Sequence, residues 1–333
     1  MRFTHMITCI DTHTAGSPTR VVVSGIPKIL GNDIKEKKEF FKAKIDYLRT
    51  SLMCEPRGHF EMTGAVITEP VTKESDFGLI FMDNGGYMDM CGHALIGATT
   101  AAIETGIVES KEETTKLVVD TVAGQVTVMA ETVKGIARSI TIENVPSFFV
   151  EHISIDALGL GKVPIDISYG GNFFAIVDAK EINLEVKPEN IDSLMKAGLS
   201  IRDAVNRQVT VKHPILGGSK VEMVEFSTAP THPDADLKNA SIYGSGQVDR
   251  EPCGTGTCAK MAALYAKGKL KLGEEFVHEG ILGTLAKGRI IKKTKVGDVD
   301  AVIPTITESA YITGIHQFLI DPDDPLKHGF ILR

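Results

Sequence analysis

The sequence lacks four features that would have placed it in other classes of protein. No apolar stretch approaches the roughly 20 residues that a transmembrane helix needs, so we expect no membrane partner. Beyond a short run at 35–38 there is no basic block, and the formal net charge of −7 argues against nucleic acid. The five cysteines form an odd set without the spacing of a disulfide framework, which favours reduced thiols. The N-terminus shows no secretory apolar segment. We therefore expect a cytoplasmic protein.

The remaining composition is that of an ordinary globular protein. Hydrophobic residues make up 43% of the 333 residues and charged residues 24%, enough apolar material for two cores of ordinary size. Two domains are therefore expected.

Two similar stretches organise the chain: DMCGHALIG at 89–97 and DREPCGTGT at 249–257. Cys91 and Cys253 lie 162 positions apart, close to half of the chain, and at the same offset Gly92 matches Gly254. Each half therefore contributes one cysteine at the predicted start of a helix.

A helix N-terminus suits acid-base chemistry by a thiol. The backbone N–H groups of the first turn carry partial positive charge and bind anions. They also lower a thiol pKa, from about 8.5 into the range of roughly 3.5–7.5. A glycine after each cysteine would let a ligand carboxylate approach these amides. The paired stretches predict one catalytic site with two thiols.

Residue periodicity predicts mixed α/β structure. Strands are predicted at 6–10 and 20–23 with a polar loop at 11–18 between them, and apolar residues about 3.6 positions apart predict one helix over 34–53. Further helices are predicted over 94–103, 191–205 and 257–267. Further strands are predicted at 65–68, 77–82, 116–120, 125–129, 139–144, 163–167, 173–177, 209–211, 221–226, 276–279, 288–294, 299–303 and 310–313.

These motifs resemble those of the proline racemase family of racemases, epimerases and dehydratases. The resemblance rests on CGH at 91–93, DREPCGTGT at 249–257, DTHTAG at 11–16 and EPRGH at 55–59, and it runs from end to end of the chain.

The resemblance implies an α/β (α+β) architecture with two pseudo-symmetric lobes of the diaminopimelate-epimerase-like fold. Each lobe is a sheet wrapped around a central helix, and the substrate lies in the cleft between them. We expect residues 1–145 with about 310–333 to form the first lobe and residues 146–309 the second. The resemblance also implies a homodimer that needs neither pyridoxal phosphate nor metal.

Cys91 and Cys253 correspond by resemblance to the catalytic pair. Inverting an α-carbon without a cofactor needs a base on one face and an acid on the other, and two thiols in opposed protonation states meet that need. The backbone amides of four residues would hold the substrate carboxylate, and by resemblance two side chains would hold the ring nitrogen. The amides belong to Gly92, His93, Gly254 and Thr255, and the side chains to Asp249 and His93.

Two departures from the family pattern bear on the substrate. The family's racemases usually carry Phe where this chain has Thr63 and Tyr243, at positions that resemble the wall around the substrate ring. Both changes add a hydroxyl, which needs a polar partner when buried. We therefore expect 4-hydroxyproline as well as proline to be accepted. The alternatives are a dedicated 4-hydroxyproline 2-epimerase and a trans-3-hydroxyproline dehydratase, which by resemblance typically has Thr in place of Cys253.

Two readings from other classes compete with this one. Cys91, His93, Cys253 and Cys258 could form a structural zinc site, although their spacing is unlike that of paired zinc ligands. GTGTCA at 254–259 matches a relaxed dinucleotide-binding fingerprint, but it follows Pro-Cys and lies outside any βαβ repeat.

Overall fold

The computed structural model describes residues 4–111 and 113–332. The helices are α1 (Ile34–Lys44), α2 (Asp46–Met53), α3 (Gly92–Glu104), α4 (Ile191–Gln208) and α5 (Gly254–Ala266). The strands are β1 (His5–Thr14), β2 (Ser17–Ser24), β3 (Thr63–Thr68), β4 (Phe77–Asp83), β5 (Tyr87–Met88), β6 (Glu113–Thr121), β7 (Gly124–Val133), β8 (Ile136–Glu143), β9 (Phe148–Ala157), β10 (Gly161–Tyr169), β11 (Phe173–Asp178), β12 (Val211–His213), β13 (Gly217–Ser219), β14 (Met223–Thr228), β15 (Leu237–Tyr243), β16 (Gln247–Val248), β17 (Glu275–Glu279), β18 (Leu285–Val296), β19 (Val299–Glu308) and β20 (Ala310–Ile320). No helix among the described residues is long and apolar enough to cross a membrane.

The chain divides into two compact units. Unit 1 comprises residues 1–140 and 309–333, and unit 2 comprises residues 141–308. In unit 1, β1 pairs with β20 and β2, after which the order runs through β3, β4 and β6 to β7. In unit 2, β10 pairs with β9 and β11, after which the order runs through β14, β15 and β17 to β18. The parallel and antiparallel pairings fall at the same steps in both units.

Each unit wraps its sheet around one buried helix. In unit 1, α3 packs against β1, β2, β3 and β20, and every residue from Gly92 to Ile103 is buried. In unit 2, α5 packs against β9, β10, β11, β18 and β19. A helix buried on all sides needs small or apolar residues around its whole circumference. The alanines, glycines and threonines of α3 and α5 meet that need.

The predicted polar loop at 11–18 is wrong. β1 continues to Thr14 and β2 begins at Ser17, so that only Ala15 and Gly16 form the turn. Both have positive φ, 48° and 99°, as a two-residue hairpin turn requires. The polar side chains that suggested a loop are used inside the hairpin, where Asp11 forms an ion pair of 2.8 Å with the buried Arg20.

One further prediction of secondary structure is wrong, and some strands were missed. The single helix expected over 34–53 is two helices, because Ile45 leaves the helical conformation at φ −136°. Asp46 then opens α2 with its carboxylate bound to Arg49 and to the Tyr87 hydroxyl. Strands β5, β9, β13, β15 and β16 were not predicted.

Candidate active site

Cys91 stands at the N-terminus of the buried helix of unit 1. It is the residue that caps α3, in extended conformation with φ −145°, and its carbonyl accepts the first helical bond from the Leu95 N–H at 3.0 Å. Its Sγ lies 3.6 Å from Nδ1 and 3.8 Å from Nε2 of His93. The thiol therefore lies at a helix N-terminus, whose first-turn amides can bind an anion, and beside an imidazole.

His93 is itself held in place by the neighbouring strand. The Thr14 hydroxyl of β1 donates to the His93 carbonyl at 2.9 Å, and the His93 side chain is buried. Because α3 begins at Gly92, this bond anchors the first turn of the helix on the sheet.

Cys253 caps α5 in the same position but in a different conformation. Its φ is 49° and its ψ 102°, a left-handed backbone that non-glycine residues rarely adopt. Its Sγ lies 3.9 Å from Oγ1 of Thr255, the residue at the place that His93 occupies after Cys91. The two thiols therefore have matching positions in their units and different local geometry.

The predicted fall in thiol pKa is not found at Cys253. Burial raises the pKa of Cys253 well above its ordinary value of 9.0, and the carboxylates of Asp249 and Glu251 raise it further. The nearby hydroxyl of Ser241 acts in the opposite direction. Burial and two acidic neighbours therefore give the direction of this pKa shift in the free protein.

Alkylation should follow that pKa. Because only the thiolate reacts, we expect the rate at which iodoacetamide modifies Cys253 to keep rising as the pH passes 9.0, its ordinary pKa. Peptide mass spectrometry after timed labelling, in steps of about one pH unit between roughly pH 6 and 10, measures this rate, with free cysteine as the reference. A rate that has already reached its plateau below neutral pH would contradict the assignment.

The remaining predicted residues lie at strand ends or beside the thiols. Asp249 follows β16, donates its backbone N–H to the Ser241 carbonyl at 3.0 Å and hydrogen-bonds the Cys253 thiol through its side chain. Thr63 is the first residue of β3 and Tyr243 the last of β15, and both are buried. Gly254 opens α5. The binding roles of these residues stay predictions.

Neither competing reading fits the two units well. Cys258 packs with Met261, Leu270 and Phe276, whereas Cys253 packs in a separate cluster with Phe174 and Ile176, which does not favour zinc ligation by both thiols. The dinucleotide fingerprint calls for a parallel doubly wound sheet. Most strand pairs of the described chain are antiparallel.

Two neighbours of Cys253 were missed as site residues. Ser241 lies on β15 beside the thiol, and the buried Glu251 adds negative charge to it. The sequence signal was available for Glu251, which lies in the DREPCGTGT motif two positions before Cys253. Ser241 carries no motif, and only strand pairing brings it to the helix start.

Comparison with known proteins decides the family. The family model described as proline racemase matches residues 9–331. The chain belongs to the proline racemase family. It is 52% identical to a proline racemase from Clostridioides difficile, with all of both chains covered. It is 41% identical to a trans-3-hydroxy-L-proline dehydratase from Bacillus cereus, again with all of both chains covered.

A solved structure supports the same conclusion. The chain is similar to a hydroxyproline epimerase from Agrobacterium vitis with bound trans-4-hydroxy-L-proline, at 32% identity and a TM-score of 0.92. The match covers 100% of this chain and 97% of that one. The predicted family and the predicted fold class are both confirmed.

Proposed function

We propose that the protein is a racemase that interconverts L- and D-proline, and trans-4-hydroxy-L-proline and cis-4-hydroxy-D-proline, without pyridoxal phosphate or metal. The observation that carries this proposal is the pair of cysteines that cap two buried helices in a chain of the proline racemase family. The names of its relatives, a proline racemase and a hydroxyproline epimerase, cover both substrates.

The proposed chemistry is proton transfer at the α-carbon by two thiols. One thiolate removes the α-hydrogen and the other thiol delivers a proton to the opposite face, so that each turnover exchanges their protonation states. Because burial and two carboxylates raise its pKa, Cys253 is proposed to carry the proton in the free protein. The two thiols titrate as a coupled pair once the substrate is bound.

The helix N-termini are proposed to lower the main barrier, which is the weak acidity of the α-hydrogen. Backbone amides at Gly92, His93, Gly254 and Thr255 would stabilise the charge that develops on the substrate carboxylate, a kind of contact worth about 2.7–4 kcal/mol. His93 and Asp249 are proposed to hold the ring nitrogen.

We also propose a homodimer, which sedimentation equilibrium would test.

Chiral chromatography of the reduced protein with L-proline and, separately, with trans-4-hydroxy-L-proline tests the function. Appearance of the 2-epimer of both substrates is expected. Conversion of hydroxyproline alone would identify a dedicated 4-hydroxyproline 2-epimerase. A pyrroline product from trans-3-hydroxy-L-proline would identify a dehydratase. This is the second candidate, because a 41% identical relative carries that name.

Hydroxyl deletion at the proposed ring wall should change substrate preference. In Thr63→Val and Tyr243→Phe the shape is kept and one hydroxyl is lost. We expect the ratio of kcat/KM for hydroxyproline to that for proline to fall by roughly tenfold, because the 4-hydroxyl loses its partner. Steady-state kinetics with both substrates measures the ratio. An unchanged ratio in both variants would remove these residues from the ring wall.

A further inference from the structure

The cores of the two units differ in polarity at positions that their strand pairing makes equivalent. In unit 1, Asp76 donates its N–H to the Val118 carbonyl and accepts from the Val118 N–H. In unit 2, Asp236 makes the same two bonds to Val277. These bonds align β4 and β6 with β15 and β17, residue by residue.

This alignment places four buried polar residues opposite four apolar ones. By this alignment, Phe81 of β4 matches Ser241 of β15. Phe81 pairs with Ala65 and Ser241 pairs with Glu225, so β3 aligns with β14 and Ala65 matches Glu225. Helices α3 and α5 align at their capping cysteines. All the side chains concerned are fully buried: Glu225, Asn239, Thr257 and His278 in unit 2, and Ala65, Leu79, Leu95 and Val119 at the matching places in unit 1.

The polar residues of unit 2 converge on the peptide bond that precedes Cys253. The Pro252 carbonyl accepts from Nδ2 of Asn239 at 2.8 Å and from the Thr257 hydroxyl at 2.7 Å. The backbone N–H of Thr257 also donates to the Cys253 carbonyl at 2.7 Å. Thr257 therefore binds the carbonyls on both sides of the Cys253 backbone.

His278 completes the arrangement from β17. Its Nδ1 lies 2.9 Å from the Thr257 hydroxyl oxygen. Since that hydroxyl donates to Pro252, it accepts here, and the network assigns the proton to Nδ1. Burial lowers the pKa of His278 from 6.5 to about 3, so the imidazole is neutral and this assignment holds at neutral pH.

Glu225 closes the network beside the thiol. Its Oε2 accepts from Nδ2 of Asn239 at 3.3 Å, and burial raises the pKa of Glu225 to about 7, with Lys260 acting against the rise. A Cβ at Gly256 would lie 2.6 Å from Oε2 of Glu225 and 3.0 Å from Sγ of Cys253. The carboxyl and the thiol therefore contact the same glycine, and any side chain at that position would push these two groups apart.

We propose that Glu225, Asn239, Thr257 and His278 form a positioning network that holds the Pro252–Cys253 peptide in its left-handed conformation and so aims the Cys253 thiol. Cys91 has an ordinary extended backbone and no such network at the equivalent positions. The inference rests on the proposed function in one respect, that Cys253 transfers a proton. The network acts through the backbone on either side of Cys253.

The test removes the two donors to Pro252 one at a time. In Thr257→Val the side chain keeps its shape and loses its hydroxyl, whereas Thr257→Ser keeps the hydroxyl and serves as the rescue. Asn239→Leu introduces the residue found at the equivalent place in unit 1. The control is Asn206→Leu, which removes an amide on α4 that bonds both backbone groups of Val221, at 2.8 and 2.9 Å.

Two readouts are measured on each folded variant: racemisation kinetics, and the ratio of the alkylation rates of Cys253 and Cys91 in the same molecule. For Thr257→Val and Asn239→Leu we expect kcat to fall by roughly 10–100-fold with KM changed by less than about threefold, because misplacing a reacting group costs rate rather than binding. The ratio should rise by about threefold or more as the released thiol becomes accessible. Thr257→Ser and Asn206→Leu should stay near the wild-type values.

The two readouts separate this inference from the proposed function. A normal ratio and normal kcat in Thr257→Val would overturn the network and leave the function standing. If the wild-type protein inverts neither proline nor hydroxyproline, the function fails, and the alkylation ratio alone still tests the network. If the alkylation ratio changes equally in Asn206→Leu, the change reflects a general loss of stability, and the inference is overturned. Should Asn239→Leu fail to fold, the isosteric Thr257→Val carries the test.

Discussion

Replacing either Cys91 or Cys253 by serine is expected to lower the rate of proline racemisation by about 10²–10⁴-fold, the contribution of a positioned acid or base. A serine hydroxyl has the size of the thiol but is not ionised at neutral pH, so the variant lacks one of the two proton carriers. The double variant should be little worse than either single one, because the two groups act as a unit. Chiral chromatography with L-proline and with D-proline measures all three.

Isotope exchange makes this test specific for two thiols. In deuterated water, each single variant keeps one thiol, and should exchange the α-hydrogen of one enantiomer without inverting it, the two variants acting on opposite enantiomers. The matched control is Cys258→Ala, which lies on the same helix as Cys253 but packs into an apolar cluster. Racemisation at the wild-type rate in either serine variant would exclude the two-thiol mechanism.

Replacing Glu279 by glutamine is expected to destabilise the protein by about 3–5 kcal/mol, because it leaves a buried cation without its partner. Lys238 donates from Nζ to Oε1 of Glu279 at 2.9 Å, and both side chains are buried. Glu279 also accepts from the backbone N–H groups of Thr231 and His232 at 2.6 and 2.8 Å. Urea denaturation at neutral pH measures the loss.

Unit 1 offers a matched control for this variant. Asp120 accepts from the N–H groups of Val71 and Thr72 as Glu279 does from those of Thr231 and His232, but Gly78 stands opposite it where unit 2 has Lys238. Asp120→Asn breaks no direct ion pair, because the nearby buried Lys37 keeps its hydrogen bond to the Glu69 carbonyl, and it should cost clearly less. Equal losses in the two variants would show that the ion pair is not the cause.

The stability loss in Glu279→Gln is expected to change with pH in one direction only. Burial would raise the pKa of Glu279, but Lys238 and the hydrogen bonds from Thr231 and His232 lower it from 4.5 to about 2. A lowered carboxyl pKa stabilises the folded state above the unfolded value and loses that effect as the pH falls through the folded value. The stability difference between wild type and Glu279→Gln should therefore be constant above pH 4.5 and shrink as the pH falls towards 2. A difference that grows in acid would contradict the assignment.

The sequence interpretation was wrong where one local pattern is compatible with two different structures. Polar residues at 11–18 look like a loop, yet Asp11 is a strand residue whose charge is taken up by Arg20 from the neighbouring strand. The apolar spacing over 34–53 continues across Ile45, although the backbone turns there and a second helix begins. In both cases the deciding contact comes from a different element, which periodicity does not record.

The sequence by itself determined the family, the mixed fold with its internal duplication, and the two cysteines at helix starts. These follow from residues adjacent in the chain, because a helix N-terminus is built from its own first turn. Only the tertiary structure decided that Cys253 has a left-handed backbone and a raised thiol pKa, and that four buried polar residues surround the peptide before it. The physical reason is distance along the chain: Glu225, Asn239, Thr257 and His278 meet only when β14, β15 and β17 pair around α5.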